Sequence, residues 1–168
     1  MVPATAGAGS GSELRPTTYS SQSSPLGAVA LAVLALIGIG LAGYLTAVHY
    51  APTLLVCSNK GLINCEAVLT SSYSVVPGTS IPITVPGLAF FLISLALAVS
   101  QLRRPVNYQL RQAHALWGGL GLLTALYLVF VEVMEVHNIC LWCSCVHLTL
   151  LLTFLITLWR LYPKPIAR

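Results

Sequence analysis

Four long apolar runs constrain the fold of this chain more than any other feature of its sequence. They lie at about 26–50, 85–102, 113–136 and 139–162, and each is long enough to cross a bilayer as a helix. Hydrophobic residues make up 57% of the chain and charged residues only 7%, too few to cover the surface of a soluble domain. Because the turn between the last two runs is short, these two are expected to form an antiparallel hairpin. The sequence predicts an all-α integral membrane protein with a bundle of four transmembrane helices.

The segments around these runs define one membrane domain, 26–162, with two tails. Residues 1–25 are rich in Ser, Gly, Thr, Ala and Pro, a composition that buries too little apolar surface to fold, so a disordered cytoplasmic tail is predicted. The first apolar run is too long for the apolar region of a signal peptide and is expected to remain as a helix. Residues 163–168 form a second, short cytoplasmic tail.

Basic residues predict how the bundle is oriented. If the amino terminus is cytoplasmic, seven of the eight Lys and Arg residues lie inside and only Lys60 lies outside. Both termini are then cytoplasmic, and the extracytoplasmic face, where disulfides persist, carries four cysteines. These are Cys57, Cys65, Cys140 and Cys143. The basic residues are spread over separate segments without interleaved aromatic residues, which argues against nucleic acid as a partner.

The longest stretch without continuous apolar character is the loop 51–84, which holds Cys57 and Cys65. Asn64 is suited to cap a short amphipathic helix in this loop, with Glu66 near the positive end of the helix. We expect the loop to fold down onto the membrane surface and to cover a pocket between the helices. Candidates for this cover are Leu54, Leu55, Val68, Leu69 and Tyr73.

Cys140 and Cys143 form a CxxC pair at the start of the last apolar run. The positive end of a helix dipole favours thiolates, and the two-residue spacing is expected to put both sulfurs on the first turn. Cys57 and Cys65 alone would more often be a structural disulfide. Two pairs on one face of a small bundle suggest instead a relay, in which one dithiol takes electrons from a soluble donor and passes them to the other. Trp142, inside the pair, is expected to belong to an interfacial aromatic belt.

Polar and thiol side chains near the CxxC pair allow more than one interpretation. His147 lies one turn after Cys143 on the same helical stripe. It either supplies a proton or hydrogen bond near the dithiol or is a polar residue satisfied by a neighbouring helix. Cys145 falls off this stripe and is expected to be a small apolar packing residue. Glu132 and Glu135 are expected at the headgroup level, with a proton route or a docking contact as the alternative.

Several motifs occur in a specific order relative to the four runs. Cys57 and Cys65, separated by seven residues, follow the first run, and Ser71 comes six positions later. The second run begins near Ile81-Pro82 and Pro86-Gly87. The fourth run opens with Ile139-Cys140-Leu141-Trp142-Cys143. With these motifs, over about residues 26–162, the chain resembles the vitamin K epoxide reductase family of four-helix quinone reductases. Many bacterial relatives have a proline where this chain has Leu141, a departure that bears on redox poise.

The resemblance implies a role for each cysteine of the two pairs. Cys57 would exchange with a DsbA-like or thioredoxin-like protein. Cys65 would then pass electrons to Cys140, and Cys143 would react with the quinone. Because this chain has no fused thioredoxin domain, the redox partner is expected to be a separate protein.

The resemblance also implies a quinone as electron acceptor, whether menaquinone, ubiquinone or vitamin K. Ser71 matches a hydroxyl position associated with the active site, and His147 lies where some relatives have a tyrosine near the quinone. An apolar quinone should occupy a pocket between helices, opening laterally and covered by the outer loop. In bacteria the family reoxidises a DsbA-like protein and so supports disulfide formation, whereas in animals it reduces vitamin K or its epoxide. The short loop and the lack of an endoplasmic-reticulum retention signal favour the bacterial cell membrane.

Three other interpretations stay open. The DsbB family also has four helices and two cysteine pairs, but its CxxC lies in the first outer loop, the reverse of the order here. A metal site would combine thiolates and imidazole suited to copper or zinc, although Cys145 points away from its neighbours on an unbroken helix. Its ligands would be Cys140, Cys143, Cys145 and His147. A structural membrane protein with two stapling disulfides would react with no soluble partner.

Overall fold

The structure is a computed structural model that describes residues 25–57 and 61–162. Four of its helices are long and apolar enough to cross a membrane, and the described residues form no β-strand. The predicted all-α class with four membrane helices is confirmed. The segments 1–24 and 163–168, which hold the predicted tails, lie outside the described residues, as does Lys60.

Four long helices form the bundle and a fifth, short helix lies in the loop between the first two. In chain order they are α1 (Pro25–Tyr50), α2 (Cys65–Leu69), α3 (Thr84–Arg103), α4 (Tyr108–Met134) and α5 (Leu141–Leu161). α1 packs against α3 and α5, and α4 packs against α5 and α3. We call the end at which α1 and α4 finish and α3 and α5 begin the loop end.

Aromatic rings against small residues fill the centre of the bundle. The core cluster consists of Ala42, Phe90, Phe91, Ala125 and Leu150. A Cβ atom added at Gly38 would overlap the ring of Phe91, and one added at Gly121 would overlap the ring of Phe90. Small residues of this kind let membrane helices approach closely, because lipid provides no hydrophobic force to bring them together.

Two helices begin at other positions than the sequence predicted. α4 begins at Tyr108 instead of 113, because the Asn107 side chain caps it by accepting a hydrogen bond from the Leu110 N–H at 3.2 Å. α5 begins at Leu141 instead of 139, and Cys140 is its N-cap residue. The expectation that both CxxC sulfurs lie on the first turn was therefore wrong for Cys140, which precedes the helix.

The described parts of the loop between α1 and α3 form short turns on either side of α2. They contain two 3-10 turns, Pro52–Leu54 and Ser72–Ser74, one on each side of α2. The Asn64 side chain accepts a hydrogen bond from the Ala67 N–H at 3.1 Å, so the predicted cap of the short helix is confirmed. These turns lead the chain back to the loop end of the bundle, where it contacts the start of α5.

Candidate active site

A disulfide joins Cys57 to Cys65 in the loop, with their Cα atoms 6.2 Å apart. The two cysteines differ in access to solvent, since Cys57 is partly exposed and Cys65 is fully buried. A soluble protein can therefore reach one end of this disulfide and not the other.

A pair of backbone hydrogen bonds ties the disulfide loop to the CxxC segment. The Asn64 N–H donates to the Ile139 carbonyl at 3.1 Å, and the Ile139 N–H donates to the Leu62 carbonyl at 2.8 Å. Cys65 directly follows Asn64, and Cys140 directly follows Ile139. Both of these cysteines are fully buried. The bridge therefore brings Cys65 and Cys140 near each other at the loop end.

Trp142 holds the other end of the disulfide loop. Its indole N–H donates to the Val56 carbonyl at 2.8 Å, one residue before Cys57. Tyr44 on α1 supports the same segment, because its hydroxyl accepts from the Val56 N–H at 3.0 Å and donates to the Leu54 carbonyl at 3.1 Å. The rings of Tyr44 and Trp142 pack with their centroids 4.7 Å apart. The sequence predicts Trp142 only at the membrane interface, since the residues around it do not indicate a partner as distant in the chain as Val56.

We expect Trp142→Phe to loosen the loop without removing any sulfur. The variant keeps the ring against Tyr44 but leaves the Val56 carbonyl without its indole donor. A single hydrogen bond contributes about 1 kcal/mol, so electron transfer from a protein donor should slow by about fivefold. The measurement is turnover with a soluble dithiol protein, compared with that of Trp159→Phe, whose exposed side chain lies at the opposite end of the bundle. Equal rates for the two variants would contradict a role of this contact in positioning Cys57.

The CxxC pair is held by contacts at the first turn of α5. The Cys140 sulfur accepts a hydrogen bond from the Cys143 N–H at 3.3 Å, and the Cys140 carbonyl accepts one from the Ser144 N–H at 2.9 Å. The Cys143 side chain also donates to the Cys140 sulfur. This bond, with help from the backbone N–H groups of Cys143 and Trp142, holds the pKa of the Cys140 thiol below its usual value. Cys140 is therefore the cysteine of the pair that the site prepares as a thiolate.

Glu132 lies against this pair, near the loop end of α4. Its side chain is only 6% exposed, and its carboxyl interacts with the Cys140 backbone N–H and the Cys143 side chain. Glu135 is exposed at the end of α4, where it accepts a hydrogen bond from the Tyr73 hydroxyl at 3.4 Å. The negative charge of Glu135 is the main reason that the pKa of Tyr73 is raised. Only the inner of the two acidic residues thus belongs to the site.

An apolar cavity of about 270 Å³ opens between the four long helices. Phe90, Trp117 and Leu150 contribute to its walls, and Cys143 and His147 lie on its loop-end side. This volume is just below the range of about 300–1,000 Å³ that is usual for ligand pockets. The cavity is thus suited to a small apolar molecule.

A second, smaller cavity of about 50 Å³ lies under the loop and is more polar. Five residues line both cavities and lie between the two spaces, and Cys143 and His147 are among them. Ser71 and Glu132 also line it. Of the five residues expected to cover the pocket, three line the smaller cavity and two line neither. The three are Val68, Leu69 and Tyr73, and the two are Leu54 and Leu55.

Cys145 takes no part in this arrangement. Its side chain is exposed on α5, so the expectation of a small apolar packing residue was wrong. Within the described ranges, no group of three or more His, Cys, Asp or Glu side chains is arranged to hold a metal ion. The alternative of a four-ligand metal site thus has no matching geometry in this part of the chain.

The sequence was also compared with known protein families and with curated proteins. A profile described as the vitamin K epoxide reductase family matches residues 29–158, which is most of the chain. No curated protein sequence matches. Members of this family are membrane oxidoreductases that act on thiols and quinones and generally work with thioredoxin-like proteins. With four apolar helices, two cysteine pairs and this match, the chain belongs to the vitamin K epoxide reductase family and is a multi-pass membrane protein.

Proposed function

We propose that this protein carries electrons from a soluble DsbA-like or thioredoxin-like protein to a membrane quinone and thereby supports disulfide formation. The electrons enter at Cys57, pass through Cys65 to Cys140, and leave from Cys143. One observation carries this order: the loop disulfide has one accessible end, and its buried end is joined by backbone hydrogen bonds to the CxxC segment that faces the apolar cavity.

Each step of the proposed path is a thiol exchange. The partner's thiolate attacks Cys57, and the partner leaves oxidised, with Cys57 and Cys65 reduced. Cys65 then attacks a disulfide between Cys140 and Cys143 at the Cys140 sulfur. Cys57 resolves the resulting mixed bond by attacking Cys65, which restores the loop disulfide and leaves the CxxC pair reduced. Two electrons have then moved from the partner to the pair beside the cavity.

The proposed acceptor is a quinone in the apolar cavity, with its ring near Cys143. The Cys143 thiolate adds to the ring, and Cys140 then attacks the Cys143 sulfur, so that the sulfur–sulfur bond forms and the electron pair stays on the quinone. The quinol needs two protons, and the dithiol releases two. His147 lines both cavities, and Ser71 lines the smaller one. We propose that these two side chains contact the quinone oxygens.

Charge supports the cytoplasmic location that we propose for both termini. The arginines of the described residues all lie at the end of the bundle opposite the loop. They are Arg103, Arg104, Arg111 and Arg160. Basic residues favour the cytoplasmic side, so the cysteines would face an oxidising compartment, consistent with a bacterial cell membrane.

Quinone reduction by purified protein tests this proposal. Wild-type protein and Cys140→Ser would be mixed with dithiothreitol and menaquinone, ubiquinone, vitamin K or its epoxide, and turnover followed by the ultraviolet absorbance of the quinone. Turnover in the wild type and none in the variant is expected. A preference for the epoxide would favour a vitamin K cycle over disulfide formation. Failure of the wild type with every acceptor would overturn the proposal.

A further inference from the structure

The proposed cysteine relay gives no role to one buried side chain of the site, that of Glu132. Glu132 projects from α4 into the space between the CxxC pair and the smaller cavity. Its exposed fraction is 6%, which is low for an acidic side chain, because removing a carboxylate from water is costly. A buried carboxyl in direct contact with reacting sulfurs requires an explanation beyond helix packing.

The chemistry at Cys143 requires a base. In the structure Cys140 is the favoured thiolate, and the Cys143 thiol donates a hydrogen bond to its sulfur. Cys143 is nonetheless the cysteine that lines the apolar cavity, and only a thiolate adds to a quinone. The Glu132 carboxyl contacts the Cys143 side chain, and both side chains line the smaller cavity.

We propose that Glu132 is a catalytic residue: it accepts the proton of the Cys143 thiol as this sulfur attacks the quinone, and returns it to a quinone oxygen. This inference rests on the proposed function. The carboxylate becomes a carboxylic acid in the first half of the step and a carboxylate again in the second. The dithiol gives two electrons, and the quinol takes up two protons. Glu132 carries the proton from Cys143, and water supplies the second proton in place of the one that Cys140 lost when it became a thiolate.

The position of Glu132 fits this role in two ways. The Cys140 backbone N–H donates to the carboxyl, which fixes one of its oxygens and leaves the other for the thiol. The smaller cavity also joins Glu132 to His147, which reaches the wall of the quinone cavity. A proton can therefore move from sulfur to carboxyl to quinone without crossing the apolar part of the bundle.

The two half-reactions separate this role from a structural one. In the first, oxidised protein is mixed with dithiothreitol, and free thiols are counted over time by maleimide mass tagging. In the second, prereduced protein is mixed with a water-soluble quinone, and a single turnover is followed by absorbance. Glu132→Gln keeps the size and the acceptor for the Cys140 N–H but takes no proton. We expect its quinone step to slow by about 100-fold while its thiol step is unchanged.

Two further variants complete the test. Glu132→Asp keeps a carboxylate at a greater distance and should recover part of the quinone rate, which also covers the case in which Glu132→Gln does not fold. Glu135→Gln is the matched control, since this residue is exposed three positions later, and its rates should equal those of the wild type. A Glu132→Gln protein with a normal quinone step would overturn the inference, as would an equal loss of both half-reactions in Glu132→Gln and Glu132→Asp. Wild-type protein that reduces no quinone would instead overturn the proposed function itself.

Discussion

Cys143→Ala is expected to abolish quinone reduction with every electron donor. Cys143 lines the apolar cavity, whereas Cys140 is fully buried and lies outside its walls. Without Cys143 no sulfur can form a bond to the quinone, and Cys140 has no partner for a disulfide. Loss of an enzyme's nucleophile commonly lowers the rate by a factor on the order of 10⁴ or more, and we expect an effect of this size.

The measurement is steady-state reduction of a quinone by dithiothreitol in detergent or lipid nanodiscs. Cys145→Ala is the matched control, because this cysteine is exposed on the same helix and its substitution should leave the rate unchanged. A Cys143→Ala protein that retained a substantial part of the wild-type rate would show that another sulfur meets the quinone.

Cys57→Ala is expected to block electron transfer from a protein donor and to leave reduction by dithiothreitol largely intact. Cys57 is the accessible end of the loop disulfide, and a folded protein cannot reach the buried Cys65. Cys143 is partly exposed, so a small dithiol can reduce the CxxC pair directly. In this variant, turnover with the protein donor should therefore fall at least about 100-fold more than turnover with dithiothreitol.

Both donors would be compared in one preparation, with a thioredoxin-like protein and with dithiothreitol, and with the same quinone. Cys145→Ala again serves as the control for the loss of a cysteine. If Cys57→Ala and Cys143→Ala lost activity equally with dithiothreitol, electrons would not enter at Cys57, and the proposed order of the relay would be wrong.

Local sequence patterns were sufficient to predict the four long helices and the short helix of the loop. Apolar runs of membrane length fixed the number of long helices, and Asn64 marked the start of α2, because caps and spans depend on neighbouring residues alone. The start of α4 was predicted too late because the polar residues after Tyr108 belong to the helix although they are not apolar. The start of α5 was predicted too early because the apolar Ile139 lies in the backbone bridge and not in the helix. Boundaries of this kind follow hydrogen bonds more than apolar character.

Contacts between distant segments could not be predicted in the same way. Trp142 bonds to a carbonyl 86 positions away, and only the folded loop reveals it. The burial of Glu132 was not predicted, because an acidic residue near the end of a long apolar run is usually expected at the headgroup level. One signal could have corrected this: Gly121, Ala125 and Leu128 precede it at helical spacing, and all three line the apolar cavity. A stripe of inward residues that ends in a carboxylate indicates a buried acid.

The loop between Cys57 and Cys65 is fixed at both ends, by Trp142 on one side and by the backbone bridge to Ile139 on the other. When the disulfide opens, these contacts keep its two thiols close to each other. The entropy cost of bringing the reacting sulfurs together is therefore met once, during folding, and not in every cycle. The stabilisation that the disulfide gives by constraining the unfolded chain is lost when the bond opens, but the two native contacts remain. They keep the loop in place while the bond is broken, which suits a disulfide that opens on each turnover.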